Sequence, residues 1–594
     1  MGGKREEAMK RASKTSKAIP AVLLVVVAIA VSNWAFAQGG SISGSVKDLS
    51  SNQGIEGVTI TVTDASTSAL AGATTTDASG NYSVDIQSLG DYTLLASKPG
   101  YDNMSALEVI ELSDTTPHRT VSIYISQKAS LEYKPKTPKP VLSWETGTGK
   151  SYLIPALEIP GFLLVLNGFD RLVYGNDEDT YGTNLSTFWD HLVHGGWEFD
   201  EGAFDTSQIA HMYSGTIYYG FARSAGLNFW ESSAYTFAGS LLWELGGETQ
   251  PPSVNDQVTS GIAGIFVGEP LFRMASLLLE SGRGKPGFWR ELGATVISPS
   301  TGFNRLVFGD RFEAVFPSRD PAVFQRVRLG ASVNTNISDR GGSKSVDRTE
   351  ATGDYSMDYG LPGKPKYNYT RPFDYFHFEL TGTSNSENRL VNFMTHGLIL
   401  GKKYEANNTY RGVWGLYGNF DYAYLPSFTV WNTAASLGTT AQWWLAPAVA
   451  LQGTALAGIG YGWAGNVSQN SDKDYHYGAA GQGLLSLGLI FGDVAMLDAK
   501  GSTYYIGDLG TNAKESETIG RLNAGLTVRI YGHHGLGIQY NAWSRDANFP
   551  YRADSHQREG TFSLVYTLLS DTKFGAVEWR NSDTRSTGNT RSRP

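Results

Sequence analysis

The chain has 594 residues, a formal net charge of -9 and no cysteine. The length leaves room for several domains. The acidic balance argues against nucleic acid as a partner, since binding phosphate needs a basic surface. Without cysteine there are no disulfides, no thiolate-held zinc and no lipid on an N-terminal cysteine. Sixty-nine glycines accompany 12% aromatics, a pairing expected of strands that cross a membrane. The mean hydropathy of -0.24 fits as well, because such strands alternate apolar with polar.

Lys4, Arg5, Lys10, Arg11, Lys14 and Lys17 form a basic start. Ala18 to Val31 is apolar, and Ala35-Phe36-Ala37 has the small-x-small cleavage pattern. Together these predict a signal peptide over residues 1–37, with the mature chain opening at Gln38. Met9 is a second candidate start. The apolar run is short of the ~20 residues that a membrane anchor needs.

Residues 38–126 alternate in short strands broken by Asn, Asp and Gly turns, which predicts a small β-sandwich. Gly44-Ser45-Val46, Gly57-Val58-Thr59, the turn from Thr76 to Tyr82, and Gly90-Asp91-Tyr92 through Pro99-Gly100-Tyr101 resemble the carboxypeptidase-regulatory-like (prealbumin-like) domain. That resemblance implies a spacer or docking module, with a periplasmic partner or a glycan as its expected contact. Residues 127–150 follow as a linker. Its Lys134-Pro135-Lys136-Thr137-Pro138-Lys139-Pro140 run should be extended and semi-rigid.

Residues 151–282 read as a helical domain. Tyr152 to Val173 is an apolar lead-in, and Leu185 to His194 a short amphipathic helix. Three apolar helices are then expected, over Gln208–Ala225, Phe229–Gly246 and Ser253–Glu280, with Pro251-Pro252 as a break. Gly261, Gly264 and Gly268 would let another backbone approach closely. Asp200, Phe204, Gln208, His211, Tyr213, Gly215, Arg223, Gly226, Phe229 and Ser232 carry a second resemblance. It continues through the run Phe237 to Glu244, then Gly247-Glu248, Pro252-Ser253, Asn255-Asp256, Gly264 and Gly268-Glu269. These residues resemble an uncharacterised bacterial envelope family, domain of unknown function 3943, over about residues 154–273. Met212 stands where that family has a proline. The resemblance implies an envelope protein and brings no established activity, so no catalytic role is carried over.

Residues 283–323 are expected to be a connector and residues 324–580 a barrel. Period-two alternation recurs there in about twelve segments. Arg326, Arg328, His377, Glu379, Asp421, Arg521 and Arg529 lie on the polar face of such segments and are expected to line a lumen. Tyr422, Tyr424, Trp443, Trp444 and Trp463 would suit interfacial girdles. With Phe324–Asn334 as the first strand, Ser338 to Arg371 becomes a long external loop and Asn466 to Asp474 a long periplasmic turn. Residues 581–594 read as a disordered tail.

The expected fold is therefore mainly β with a helical insert: a small periplasmic sandwich, a three-helix module and a C-terminal outer-membrane antiparallel barrel. The sequence lacks His-Glu-x-x-His, a Walker loop and Gly-x-Ser-x-Gly. His191 and His194, at i and i+3, are weak candidates for a metal. His211, Glu244, Glu248 and Asp256 are the candidate catalytic residues, since a histidine beside carboxylates can act as a base or hold a divalent cation. Each also has a structural reading, and together these are favoured over catalysis. Ser253 and Asp256 resemble a capping box, Glu269 and Arg273 an i, i+4 ion pair, and Glu244 a partner for Arg223. The expected function is that of a Gram-negative outer-membrane barrel with a plug-like helical module in the lumen, structural or binding a lipid or other ligand. The alternatives are a lipid-modifying enzyme and a gated channel. Outer-membrane lipids are the expected partners, and no cofactor is expected.

Overall fold

The computed structural model describes residues 39–49, 51–102, 104–105, 109–113, 115–126, 142–174, 180–199, 209–282, 285–338, 349–384, 390–406, 409–425, 427–466, 475–507, 515–549, 554–571 and 573–579. The signal peptide over 1–37, the Lys134–Pro140 run, Asp200, Phe204, Gln208 and the 581–594 tail lie outside the described residues.

Eight strands build the N-terminal sandwich: β1 (Gly40–Asp48), β2 (Thr59–Asp64), β3 (Leu70–Thr75), β4 (Asn81–Ile86), β5 (Gly90–Ser97), β6 (Met104–Ser105), β7 (Ile110–Leu112) and β8 (His118–Ile125). One sheet has the order β4-β1-β8. The other runs β3-β2-β5-β6, with β7 also paired to β5. Alternate residues turn inward, so Ile42, Val46, Ile60, Val62, Tyr92, Leu94 and Ile123 form a dry core between the sheets.

Twelve antiparallel strands close the barrel: β9 (Val323–Ser338), β10 (Thr349–Tyr359), β11 (Phe376–Thr383), β12 (Leu390–Ala406), β13 (Tyr410–Tyr424), β14 (Phe428–Ala446), β15 (Val449–Asn466), β16 (Tyr475–Phe491), β17 (Ala495–Gly507), β18 (Ser516–Tyr531), β19 (His534–Asn548) and β20 (Ser555–Leu569). β20 pairs with β9, so no edge is left unpaired. Alternation sorts the side chains. On β18, Leu522, Leu526, Val528 and Ile530 are exposed on the outer wall, while Arg521 and Thr527 are buried on the lumen side. The connections alternate between two rims. Those after β14, β16 and β18 are tight, with Gly492 and Gly532 in the left-handed region at φ 52° and 51°. β10 lies inside the stretch expected to be one long loop from Ser338 to Arg371. This additional strand places the Asn466–Tyr475 connection on the same rim as the other long connections, so it is not a tight-rim turn.

Seven helices lie between sandwich and barrel among the described residues. They are α1 (Leu153–Tyr174), α2 (Leu185–His194), α3 (His211–Ser224), α4 (Phe229–Gly246), α5 (Val254–Glu280), α6 (Phe288–Ile297) and α7 (Pro299–Phe308). α5 is interrupted by a π-turn at Thr259–Ala263. α6 and α7 occupy the stretch expected to be a plain connector. The asparagine caps are local and strong: Asn184 before α2 and Asn228 before α4 each complete a reciprocal box with the residue three further on.

The helices are not in the lumen. α5 crosses the outer wall over β12 and β13, and its π-turn reaches β14. Phe266 of α5 covers Gly418, and Phe373 covers Gly397. Both glycines face away from the lumen residues Asn419 and His396 that follow or precede them. Tyr355, Met357, Phe376, Phe378, Phe393, Phe420, Tyr422, Trp431, Tyr461 and Trp463 share one apolar core with Met212, Tyr219, Phe229, Ile265, Phe266 and Met274 of the helices. The plug expectation fails for a steric reason. In this barrel lumen side chains meet across the interior, as Glu379 does with Lys500 and Asn419 with Gln482, whereas a helix needs ~10 Å. Tyr422 and Trp463 are buried under the bundle, so they are not girdle residues.

Since the chain has no cysteine, two introduced ones report this placement without background. Phe266→Cys with Gly418→Cys should be joined by a short thiol crosslinker. Phe266→Cys with Asn419→Cys, one residue on but lumen-facing, should stay unjoined, as read by mass spectrometry of the digested protein. The opposite pattern would put α5 inside the barrel.

Candidate functional site

Close backbone contact between α3 and α5 organises the bundle. A Cβ on Gly215 would sit 1.9 Å from the Ser260 carbonyl oxygen, and one on Gly264 would sit 2.7 Å from the Gly215 backbone. Only glycine allows this approach. It brings the start of α3, the end of α4 and the start of α5 to one point, where the four candidate residues meet.

His211, Glu244 and Asp256 are buried there, and Glu248 is half-buried. The His211 Nε2 lies 3.9 Å from Glu248 Oε1 and 3.9 Å from Asp256 Oδ2. Ligand-type atoms of His211, Glu244 and Asp256 all fall within 4.8 Å of one another. The supporting bonds are specific. Ser260 Oγ is 3.4 Å from His211 Nδ1. The Ser253 N–H donates to Glu244 Oε2 at 2.8 Å, and the Trp243 indole donates to Glu248 Oε1 at 3.0 Å. Ser253 Oγ accepts from the Asp256 N–H at 3.1 Å, which is the capping bond expected from the sequence. The arrangement can bind a cation or move a proton.

His191 and His194 do not join this point. His191 Nδ1 is 3.3 Å from the Glu244 carbonyl oxygen, whereas His194 pairs with Asp190 on an exposed face. The expected Glu244–Arg223 pair is also absent. Arg223 instead binds Glu269 at 2.8 Å, with Arg273 on the other carboxylate oxygen at 2.7 Å and the Tyr219 hydroxyl donating at 2.7 Å. Arg273 then reaches Asp374 at 2.9 Å and the Pro372 carbonyl at 2.6 Å, on the β10–β11 connection. Burial alone would raise the Asp374 carboxyl, but the Arg273 and Arg371 guanidiniums beside it hold it below the ordinary value.

The lumen residues also converge. Glu379 on β11 binds Lys500 at 2.5 Å and Arg521 at 3.4 Å, from strands on the far side of the barrel. Arg326 binds Asp498 at 2.9 Å and Arg328 binds Asp354 at 2.7 Å. His377 pairs with Asp358 at 2.8 Å, Gln482 donates to Asp421, and Arg529 is half-buried. Apolar layers lie at both ends of this network. Phe428, Val430, Tyr504 and Trp543 form one. Phe324, Tyr417, Ile490 and Leu569 form the other, with Phe574 and Val577 of the C-terminal segment. The sequence reading missed Lys500. Its signal was the period-two polar set Asp498, Lys500, Ser502 within β17.

Fold and geometry together define a closed twelve-strand β-barrel with a helical bundle on its outer wall and a two-sheet sandwich before it. Residues 41–123 match the carboxypeptidase regulatory-like domain, and residues 196–300 match a domain of unknown function (DUF3943). The second match begins after α2 and runs on through α6, later at both ends than the sequence reading had it. No curated protein matches the chain. Among solved structures, the chain is similar to the NanC porin at 9% identity, over 40% of this chain and 98% of that one, with a TM-score of 0.21. It is also similar to the toluene transporter TodX of Pseudomonas putida at 10% identity, over 43% and 90%, with a TM-score of 0.18. A third is the outer membrane channel DcaP of Acinetobacter baumannii at 11% identity, over 42% and 96%, with a TM-score of 0.19.

Glu269→Gln should destabilise the folded protein by ~3–5 kcal/mol, because it leaves two guanidiniums in the core without their shared carboxylate. Glu405→Gln, whose pair with Arg411 lies on an exposed end of β12, should change little. Heat resistance of the folded band on a gel separates the two, and equal effects would remove the clamp from the account.

Proposed function

We propose that the protein is an outer-membrane β-barrel whose lumen is sealed and whose working part is the helical bundle held on the outer wall. The observation that carries this reading is the division of the strands' two faces. Lumen-side charges are paired with one another across the barrel between apolar end layers, while part of the outward aromatic face is buried under helices. A gated channel through the lumen would have to break several buried ion pairs and shift both end layers. The geometry therefore favours the structural or ligand-binding reading over a channel.

The exposed surface of the bundle supports lipid as its surroundings. On α1, Leu157, Leu164, Val165 and Leu172 are 65%, 76%, 71% and 86% exposed, and on α7 Leu306 is 84% exposed. Apolar area on this scale marks a membrane or partner surface. The 22 residues of α1 extend about 33 Å at ~1.5 Å per residue, the thickness of a hydrocarbon core. Apart from the β10–β11 connection that receives Arg273, short turns gather on one rim and longer connections on the other, which fits a periplasmic and an external side respectively. β9 starts at the tight-turn rim, which supports a periplasmic arm for the N-terminal sandwich.

Two measurements test this reading. Protein reconstituted in a planar bilayer should show no steady ionic conductance, and porin-like open steps would restore the channel alternative. Leu164→Arg should impair assembly into the outer membrane about as much as Leu526→Arg on the barrel wall, each cation costing ~2–4 kcal/mol in lipid. Full tolerance of Leu164→Arg would place the bundle in water.

A further inference from the structure

Four ligand-type side chains meet at the three helix ends described above, and their spacing is wider than hydrogen bonding requires. A direct N–H to carboxylate bond spans ~2.7–2.9 Å, whereas His211 Nε2 stands 3.9 Å from both Glu248 Oε1 and Asp256 Oδ2. In a tetrahedral zinc site, bonds of about 2.1 Å put neighbouring ligand atoms about 3.4 Å apart. The two His211 gaps exceed that by about half an ångström, and the ligand atoms of His211, Glu244 and Asp256 lie within 4.8 Å of one another, so side-chain rotation has to draw the three together.

The geometry points to a divalent transition-metal site, of the zinc or manganese type, held by His211 Nε2 and the carboxylates of Glu244 and Asp256, with Glu248 beside them. The inference rests on reading the bundle as the working part of the molecule. Three further observations support it. His211 Nδ1 lies 3.4 Å from Ser260 Oγ, and the tautomer that donates there turns the Nε2 lone pair toward the carboxylates, as in a metal-binding histidine held by a second partner. Backbone and indole donors hold the carboxylates in place: Ser253 N–H on Glu244 and Trp243 on Glu248. The π-turn Thr259–Ala263 falls at Ser260 itself, and such extra-residue turns concentrate at functional sites.

The donor set selects the ion class. One imidazole with two or three carboxylates suits zinc or manganese. Magnesium and calcium take oxygen alone, and copper(I) prefers sulfur. A divalent cation would also offset the charge of carboxylates buried in an apolar bundle. Glu248, with 22% of its side chain exposed, stands at the open side where a ligand of the ion would enter.

Full-length protein, purified in detergent and stripped with a chelator, is dialysed against zinc or manganese chloride and its metal content measured. One equivalent of zinc or manganese is expected. His211→Ala and Glu244→Gln should lose it, whereas His191→Ala with His194→Ala should retain it. Ser260→Ala should weaken affinity about 10- to 100-fold. Heat resistance on a gel shows whether each variant has folded. If His211→Ala fails to fold, Ser260→Ala and Glu248→Gln carry the test, because an amide at 248 can still accept from Trp243. Substoichiometric metal in the wild type, equal binding by the folded variants, or binding of calcium or magnesium alone would overturn the site. Because the measurement is made in detergent, failure here leaves the sealed barrel and its lipid-facing bundle untouched.

Discussion

Glu269 joins the two halves of the molecule. Its carboxylate is fully buried and held by Arg223 from one helix and Arg273 from its own. Arg273 carries the connection out of the bundle to Asp374 at the barrel rim. Two carboxylates, Glu269 and Asp374, thereby face three guanidiniums, those of Arg223, Arg273 and Arg371, and Phe272 and Phe316 lie against the first two. A buried ion pair does not guarantee stability, because desolvation offsets the attraction. What it supplies here is a link between bundle and barrel, since Arg273 bonds Glu269 of its own helix and Asp374 of the β10–β11 connection at once.

The barrel wall shows how one alternating pattern serves two environments. Outward residues near the bundle, such as Phe378, Phe420 and Trp431, are aromatic and buried under helices. Outward residues farther round, such as Leu526, Ile538 and Leu564, are aliphatic or aromatic and exposed. Both sets are apolar, so strand periodicity cannot tell protein contact from lipid contact. The inward face likewise resembles a channel lining until its partners are known. Glu379 pairs with Lys500 and Arg521 across the lumen because strands 121 and 142 residues away in sequence bring the cations to it.

The helix-end cluster depends on distant glycines. Gly215 and Gly264 allow α3 and α5 to touch, and that contact brings His211 to Asp256. The local signals, the asparagine caps and the Ser253–Asp256 bond, position each helix end separately. Neither kind of signal alone would assemble the group.

By itself the sequence determined the element types and most of their ranges. Period-two alternation marked the barrel strands, helical spacing marked α3, α4 and α5, and turn residues marked the sandwich. It also singled out His211, Glu244, Glu248 and Asp256, because charged residues are conspicuous in apolar helices. It did not reveal α6, α7 or β10, whose short stretches carry weak periodicity. The tertiary structure alone decided that the helices lie on the outer wall, that Arg223 binds Glu269 and not Glu244, and that the lumen charges neutralise one another. The physical reason is common to all three. Periodicity states which face of an element is apolar or polar, but the partner of that face comes from elements up to hundreds of residues away, and only closure of the barrel brings them together.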